Sequence, residues 1–299
     1  MKELSEPPLP FIENEPMARH TSWRIGGPAR YYVEVHDSEQ ACALSAWARA
    51  AGLDLIWVGG GTNLLVRDEG FAGVVARYRA QAWQLDVQDD TAMVSVESGA
   101  SMAGLARQMS SMGWAGLEWA EGIPGTVGGA VFGNAGCYGN DISGLIQRIS
   151  ILIGNVIEQW PVARMVYGYR RSILKDGDVQ FAAVPLILSA DLRLRQGDPA
   201  VLAATMARIA AERKSKTPWG SSCGSVFKNP PGYSAGQLID RAGLKGTRLG
   251  NAEISHRHAN YIVNRGGATS ADVLGLIAIA QETVRSKFGV TMELEVRLI

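Results

Sequence analysis

The chain has 299 residues, 46% of them hydrophobic, and carries 29 Lys plus Arg against 29 Asp plus Glu. It is long enough to bury a substantial core, and its zero formal net charge offers no footprint for wrapping nucleic acid or lying on an anionic membrane. No apolar run approaches the roughly 20 residues of a membrane helix, so a soluble protein acting on small ligands is expected. Residues 1–19 are rich in Pro, Glu and Asn and have no apolar stretch after the early lysine. They read as a tail rather than an export signal, which predicts a cytoplasmic protein. Residues 31–35 follow as a strand. Ser38 is the expected cap of a helix whose apolar positions Ala41, Leu44, Ala48 and Ala51 recur at three and four, and Gly52 stops it. Residues 53–58 read as a buried strand running into Gly59-Gly60-Gly61, and 64–66 as extended structure. Residues 93–96 alternate as a strand, 101–112 read as a helix, and a glycine-rich stretch runs on to Gly139. Strands are expected at 149–153, 156–160 and 181–194.

Asp198 and Pro199 mark the cap and first residue of an Ala-rich helix to Ala211, followed by Arg213, Lys214 and Lys216 before Pro218. A domain boundary is placed there. The last part predicts a helix over 234–242, a strand over 261–264, a helix over 271–288 capped by Ser270 and stopped by Gly289, and a final strand over 292–298. Cys42, Cys137 and Cys223 are odd in number, far apart and without a C-x-x-C, so reduced thiols are expected rather than disulfides or a zinc site. His256 and His258 stand two apart, and nothing else has metal-ligand spacing, so no metal is expected.

Glycine is the outlier, with 35 residues, about 12% of the chain against a usual share near 7%. It concentrates at Gly26-Gly27, at Gly59-Gly60-Gly61 and from Gly122 to Gly139. Any one cluster suits ordinary turns; three together suggest backbone cradling of something bulky. The sequence Gly59-Gly60-Gly61-Thr62-Asn63-Leu64 lacks the spacing of a Rossmann fingerprint and the Gly-Lys-Ser/Thr of a phosphate loop. What remains is a nest of backbone amides able to hold a pyrophosphate without a lysine or arginine in the loop. The stretch Gly122-Ile123-Pro124-Gly125-Thr126-Val127-Gly128-Gly129 reads as a helix entry that supplies further amide donors.

Seven ordered motifs carry a resemblance over 18–299. They are Trp23-Arg24-Ile25-Gly26-Gly27-Pro28, the 59–66 loop, the 122–130 stretch, Asn134-Ala135-Gly136-Cys137-Tyr138-Gly139, Tyr169-Arg170-Arg171-Ser172, Gly224-Ser225-Val226-Phe227-Lys228-Asn229-Pro230 and Leu294-Glu295-Val296-Arg297. The chain resembles the UDP-N-acetylenolpyruvoylglucosamine reductases, in their shorter form. The resemblance implies an α+β protein with a two-lobed FAD-binding region of the vanillyl-alcohol-oxidase type. Its lobes would be 18–78 and 79–212, after a tail at 1–17, with an α+β substrate-binding domain at 213–299 whose last strand returns to the FAD site. It further implies non-covalent FAD, NADPH as reductant, UDP-N-acetylglucosamine enolpyruvate as substrate, and a monomeric enzyme of peptidoglycan synthesis serving cell-wall biogenesis, shape and division.

By the same resemblance Ser225 is the proton donor, Arg170 pairs with the substrate carboxylate, and Glu295 is the acidic residue at the reacting group. Adjacent Arg171 suits a surface ion pair. Gly26, Gly27, Gly59, Gly60, Gly61, Thr62, Asn63, Leu64, Gly122, Ile123, Pro124, Gly125, Thr126, Gly128, Gly129, Asn134, Ala135 and Gly136 are implied on the cofactor. Lys216, Lys228, Asn229, Gln237, Arg248, His258, Asn260 and Asn264 are implied on the substrate side. Leu294 stands where the family usually has Pro, Leu174 and Tyr261 where it often has Phe. Two alternatives stay open: an FAD-linked sugar or alcohol oxidase of the same flavin fold, and a non-catalytic nucleotide-binding module.

Overall fold

Residues 91–97 and 188–194 alternate inward apolar and outward polar side chains, and each alternation becomes a strand against one core. The computed structural model describes residues 6–177 and 179–299 and has the mixed helix and strand content of the α+β class. One compact unit comprises 6–12, Tyr31–Gly59 and Gly73–Arg213, and a second comprises Glu13–Arg30, Gly60–Ala72 and Lys214–Ile299. Residues 18–78, expected as one lobe, thus contribute to both. Part of the expected tail is also regular, since Ile12–Pro16 is a strand and Met17 is fully buried.

In the first unit an antiparallel sheet runs in the order Val156–Pro161, Ile146–Ile153, Leu186–Gln196, Thr91–Glu97, Trp83–Gln88, with Trp114–Ala115 beside Leu186–Gln196. The helices Met102–Ser111 and Val127–Gly133 begin at side-chain caps, Ser101 and Thr126, and bury Leu105, Met109, Val127 and Val131 in the same core as Trp160, Ile149 and Leu192. A second core joins helix Ser38–Ala50 to the parallel pair Leu55–Val58 and Phe71–Tyr78 through Leu44, Trp47, Val74 and Ala76. Three boundaries differ from expectation. The cap of helix Ser38–Ala50 is Asp37, whose carboxylate accepts from the Gln40 amide at 2.8 Å. The strand expected at 181 starts at Leu186, just after Pro185, which has no amide to give a ladder. Helix Pro199–Lys216 continues through the basic cluster, because Arg and Lys sustain a helix and no breaker comes before Pro218.

The second unit combines the antiparallel strands Arg248–Leu249, Ala252–Ile254 and Ile262–Asn264 with helices Ala235–Arg241 and Ser270–Phe288. Its core holds Trp23, Leu65, Phe227, Leu276 and Val284. The cap of helix Ser270–Phe288 is Thr269 rather than Ser270, and Thr269 and Asp272 form a reciprocal capping box. Ser270 instead exchanges hydrogen bonds with Asp68, its amide donating to the carboxylate at 2.8 Å and its hydroxyl accepting from the Asp68 amide at 2.9 Å. The last strand is only Arg297–Leu298, parallel to Leu64–Leu65. It is shorter than expected because the segment changes neighbour at Glu295. The Glu295 amide donates to the Val226 carbonyl at 2.8 Å, while the Arg297 amide donates to the Asn63 carbonyl at 3.1 Å. Among the described residues no helix is long and apolar enough to cross a membrane, and no His, Cys, Asp and Glu cluster could hold a metal ion.

Candidate functional site

In the first unit the loop end Gly59 lies against Thr126, the cap of helix Val127–Gly133; a Cβ on Gly59 would come within 2.7 Å of the Thr126 hydroxyl. Two of the glycine motifs are therefore packed together. A Cβ at Gly128 would meet that of Ser98 at 2.7 Å. These glycines are required by the protein's own close packing. Within the 122–129 stretch the amides of the helix's first turn are spent inside the protein. The amides of Val127, Gly128 and Gly129 donate to Ala100 O, Ser98 O and the Thr126 hydroxyl, at 2.9, 2.8 and 3.2 Å. The amides of Gly59, Gly122 and Gly125 make no hydrogen bond to another described residue. A neutral set of unspent amides beside a hydroxyl is the donor chemistry of a pyrophosphate nest, and it fits FAD.

Asn134 ends that helix in the left-handed conformation, φ 48°. Its side chain is consumed internally, donating to Asp141 and to Gly168 O at 3.2 and 3.0 Å and accepting from the Ser143 amide at 3.2 Å. The Ala135 amide donates to Ala130 O, and Gly136 pairs with Asp141. The carbonyls of this turn orient Arg170: its guanidinium donates to Gly136 O at 2.6 Å and to Asn134 O at 3.4 Å. Arg170 has φ 57°, a backbone cost for a residue with a Cβ. Arg171 pairs with Asp176 at 2.9 Å, the surface role foreseen for it.

The second unit gathers the other glycine positions. Gly26 and Gly27 are close-packed: a Cβ on Gly27 would lie 2.1 Å from Asp68 O, and the Gly27 amide donates to Arg67 O at 2.9 Å. Gly61 has φ +64° and passes His20 O so closely that a Cβ would come to 1.8 Å. The amides of Gly60 and Asn63 make no hydrogen bond to another described residue. Thr62 and Leu64 flank Asn63, and Leu64 begins the pairing with Arg297.

Ser225 and Glu295 lie on adjoining segments of this unit. Val226 accepts the Glu295 amide, and Phe227 bridges Leu294. From the other side Asn260, buried, clamps the same backbone. Its carbonyl accepts the Val226 amide at 2.9 Å, its side-chain oxygen accepts the Phe227 amide at 3.0 Å, and its Nδ2 donates to Phe227 O at 2.8 Å. Ser225 itself is half-buried, with a hydroxyl that makes no hydrogen bond to another described residue. The serine is thus held by its neighbours while its oxygen is left available.

The residues implied on the substrate side divide by what they touch. Asn260 spends its side chain on the backbone, and so does Asn264, which donates to Trp23 O and accepts from the amides of Gly266 and Ala268. Lys228 pairs with Glu293 at 3.2 Å, and Asn229 accepts the Ala235 amide at 3.0 Å. Gln237 and Lys216 are exposed. Burial, with Lys245 and Lys216 nearby, lowers the His258 pKa, which keeps its ring neutral near pH 7. Arg248 gives its Nε to Glu253 at 2.6 Å while its side chain stays 66% exposed. Glu253 is fully buried and is also paired with Arg265; those guanidinium hydrogen bonds hold its carboxyl below the usual range against the effect of burial. Sequence reading missed Glu253 and the clamping role of Asn260. A polar residue inside the apolar run Ala259 to Val263 was the available signal for the second.

A family model described as UDP-N-acetylenolpyruvoylglucosamine reductase, C-terminal domain, matches residues 215–299, and one described as FAD binding domain matches 29–151. UDP-N-acetylenolpyruvoylglucosamine reductase of Chloroflexus aggregans is 58% identical over 98% of this chain and 98% of its own length. The reductase of Rubrobacter xylanophilus is 41% identical over 96% of this chain and 94% of its own. The crystal structure of UDP-N-acetylenolpyruvylglucosamine reductase from Thermus caldophilus aligns with a TM-score of 0.82 at 32% identity, covering 97% of this chain and 99% of the other.

Proposed function

The chain belongs to the UDP-N-acetylenolpyruvoylglucosamine reductase family, and from that premise we propose that it reduces UDP-N-acetylglucosamine enolpyruvate to UDP-N-acetylmuramate with FAD and NADPH, as a cytoplasmic enzyme of peptidoglycan precursor synthesis. The chemistry that bound FAD supplies is storage of one hydride between NADPH and the terminal alkene carbon of the enolpyruvyl ether. Amides of Gly59, Gly122 and Gly125, with the Thr126 hydroxyl, would hold its pyrophosphate. Assignment of 18–78 and 79–212 as FAD-binding lobes and of 213–299 as the substrate domain belongs to the same reading, as does the monomeric state.

Hydride at the terminal carbon leaves negative charge on the neighbouring carbon and its carboxylate. Arg170 opposes that charge with a fork suited to a carboxylate. Ser225 gives its hydroxyl proton to the carbon and recovers one from solvent, which completes addition of H₂ across the double bond. Glu295, on the segment adjoining Ser225, is the acidic residue at the reacting group. The observation that carries the reading is an uncommitted Ser225 hydroxyl on a segment hydrogen-bonded to Glu295, inside the region 215–299 that the C-terminal domain model matches. The test is spectroscopic. Purified protein holding FAD should be yellow, bleach with NADPH without oxygen, and regain colour on addition of enolpyruvyl-UDP-N-acetylglucosamine. A preparation that cannot be loaded with FAD, or that regains colour only in air, would refute it.

A further inference from the structure

Glu295 has its backbone amide and its backbone carbonyl both claimed. Its amide donates to Val226 O, next to Ser225, at 2.8 Å. Its carbonyl accepts Nδ2 of Asn63 at 3.0 Å, across 232 residues of sequence. The Asn63 carbonyl in turn accepts the Arg297 amide. Cys223, two residues before Ser225, makes a second tie to the same loop: its thiol donates to Leu64 O at 3.4 Å and lies 3.7 Å from Gly61 O. Burial pushes the Cys223 pKa up to about 11, so the thiol stays a protonated donor across the physiological range. One glycine loop is therefore fastened to both segments that carry Ser225 and Glu295, through the Asn63 side chain on one and the Cys223 thiol on the other.

We propose that Asn63 and Cys223 are positioning residues for the proton-delivering half of the reaction, through which the loop that holds the cofactor sets the placement of Ser225 and Glu295. This rests on the function proposed above. It assigns to the Asn63 side chain a task separate from cofactor binding, which falls to the loop amides.

The experiment uses full-length, FAD-loaded enzyme and follows the two half-reactions separately. Cys223→Ala should retain FAD and bleach with NADPH at a rate within about twofold of the parent. Its recolouring at saturating substrate should slow at least fivefold, with the substrate concentration for half-maximal rate unchanged within twofold. Cys223→Ser, which keeps a donor, should recover most of the rate, and Asn63→Ala should slow recolouring at least fivefold more than it slows its own bleaching. Hydrogen–deuterium exchange at 224–228 and 294–297 should quicken in Asn63→Ala. Loss of FAD, equal slowing of both half-reactions, unchanged rates, or unchanged exchange would each overturn the proposal. Failure of the unaltered enzyme to recolour with substrate would instead sink the parent reading, while the exchange measurement would still decide the role of Asn63.

Discussion

Arg170 and the Ser225–Glu295 pair are held in opposite ways. Arg170 is fixed by its functional end, the guanidinium lying on Gly136 O and Asn134 O, and it accepts a left-handed backbone to reach them. Ser225 is fixed through the backbone of its neighbours, by Asn260 on one side and Glu295 on the other, and its hydroxyl is uncommitted among the described residues. The difference suits the chemistry proposed for each. A group that only opposes charge works best rigid and already hydrogen-bonded, whereas a group that gives up a proton needs its oxygen unencumbered.

Four changes would break or sharpen this contrast. Ser225→Ala removes the proposed proton donor and should slow the substrate half-reaction by ~10² to 10⁴ while leaving bleaching by NADPH nearly intact. Equal loss in both half-reactions, read by stopped-flow absorbance, would assign the serine to the scaffold. Arg170→Lys keeps the charge but not the fork that spans two carbonyls, so a smaller loss of roughly 10- to 100-fold in the same half-reaction is expected. Unchanged turnover would disprove carboxylate pairing. Asn260→Ala should leave the buried amide and carbonyl of Phe227 unpaired and cost about 2 kcal/mol in urea unfolding, with slowed proton delivery in whatever folds. A stability equal to the parent would show that the clamp is dispensable.

The smallest effect concerns Asp68. Burial raises its pKa, but the hydrogen bonds from Ser270 and Ala271 outweigh this and lower it. A carboxylate with a depressed folded pKa contributes stability above its unfolded value, near 3.9, and that contribution disappears as pH falls through the lower folded value. Asp68→Asn should therefore cost roughly 0.5–1 kcal/mol at pH 7, discounted for exposure, and the gap to the parent should narrow below about pH 4. Melting curves from pH 3 to 7 would test it, and a gap that widened on acidification would contradict the assignment.

Local signals were the readable part of this molecule. The helix at 102–111 carries its own Ser101 cap and periodic apolar face, and Gly289, at φ 68°, ends the last helix where a glycine stop was expected. Neighbouring hydroxyls were harder to separate, and Thr269 rather than Ser270 took the cap because Asp272 answers it. The edge strand Trp83–Gln88, largely solvent-facing, leaves only a weak apolar alternation to detect. The neighbourhood of the candidate site was legible where residues fall inside a motif, as at Ser225, which lies beside the Glu295 segment. It was illegible where a side chain serves a distant backbone: Asp68 meets Ser270 across 202 residues, and Asn264 meets Trp23 across 241. Composition and periodicity contain no trace of such pairings.

The second core also includes Trp23 and Leu65, both essentially inaccessible, and the Trp23 indole donates to Ile262 O at 2.7 Å. A fragment excised at Lys214 would lose both, leaving an aromatic-sized void and an orphaned carbonyl. Such a piece should therefore be incapable of autonomous folding, and anyone seeking a minimal version for crystallography or inhibitor screening must carry along stretches from near the opposite end of the gene.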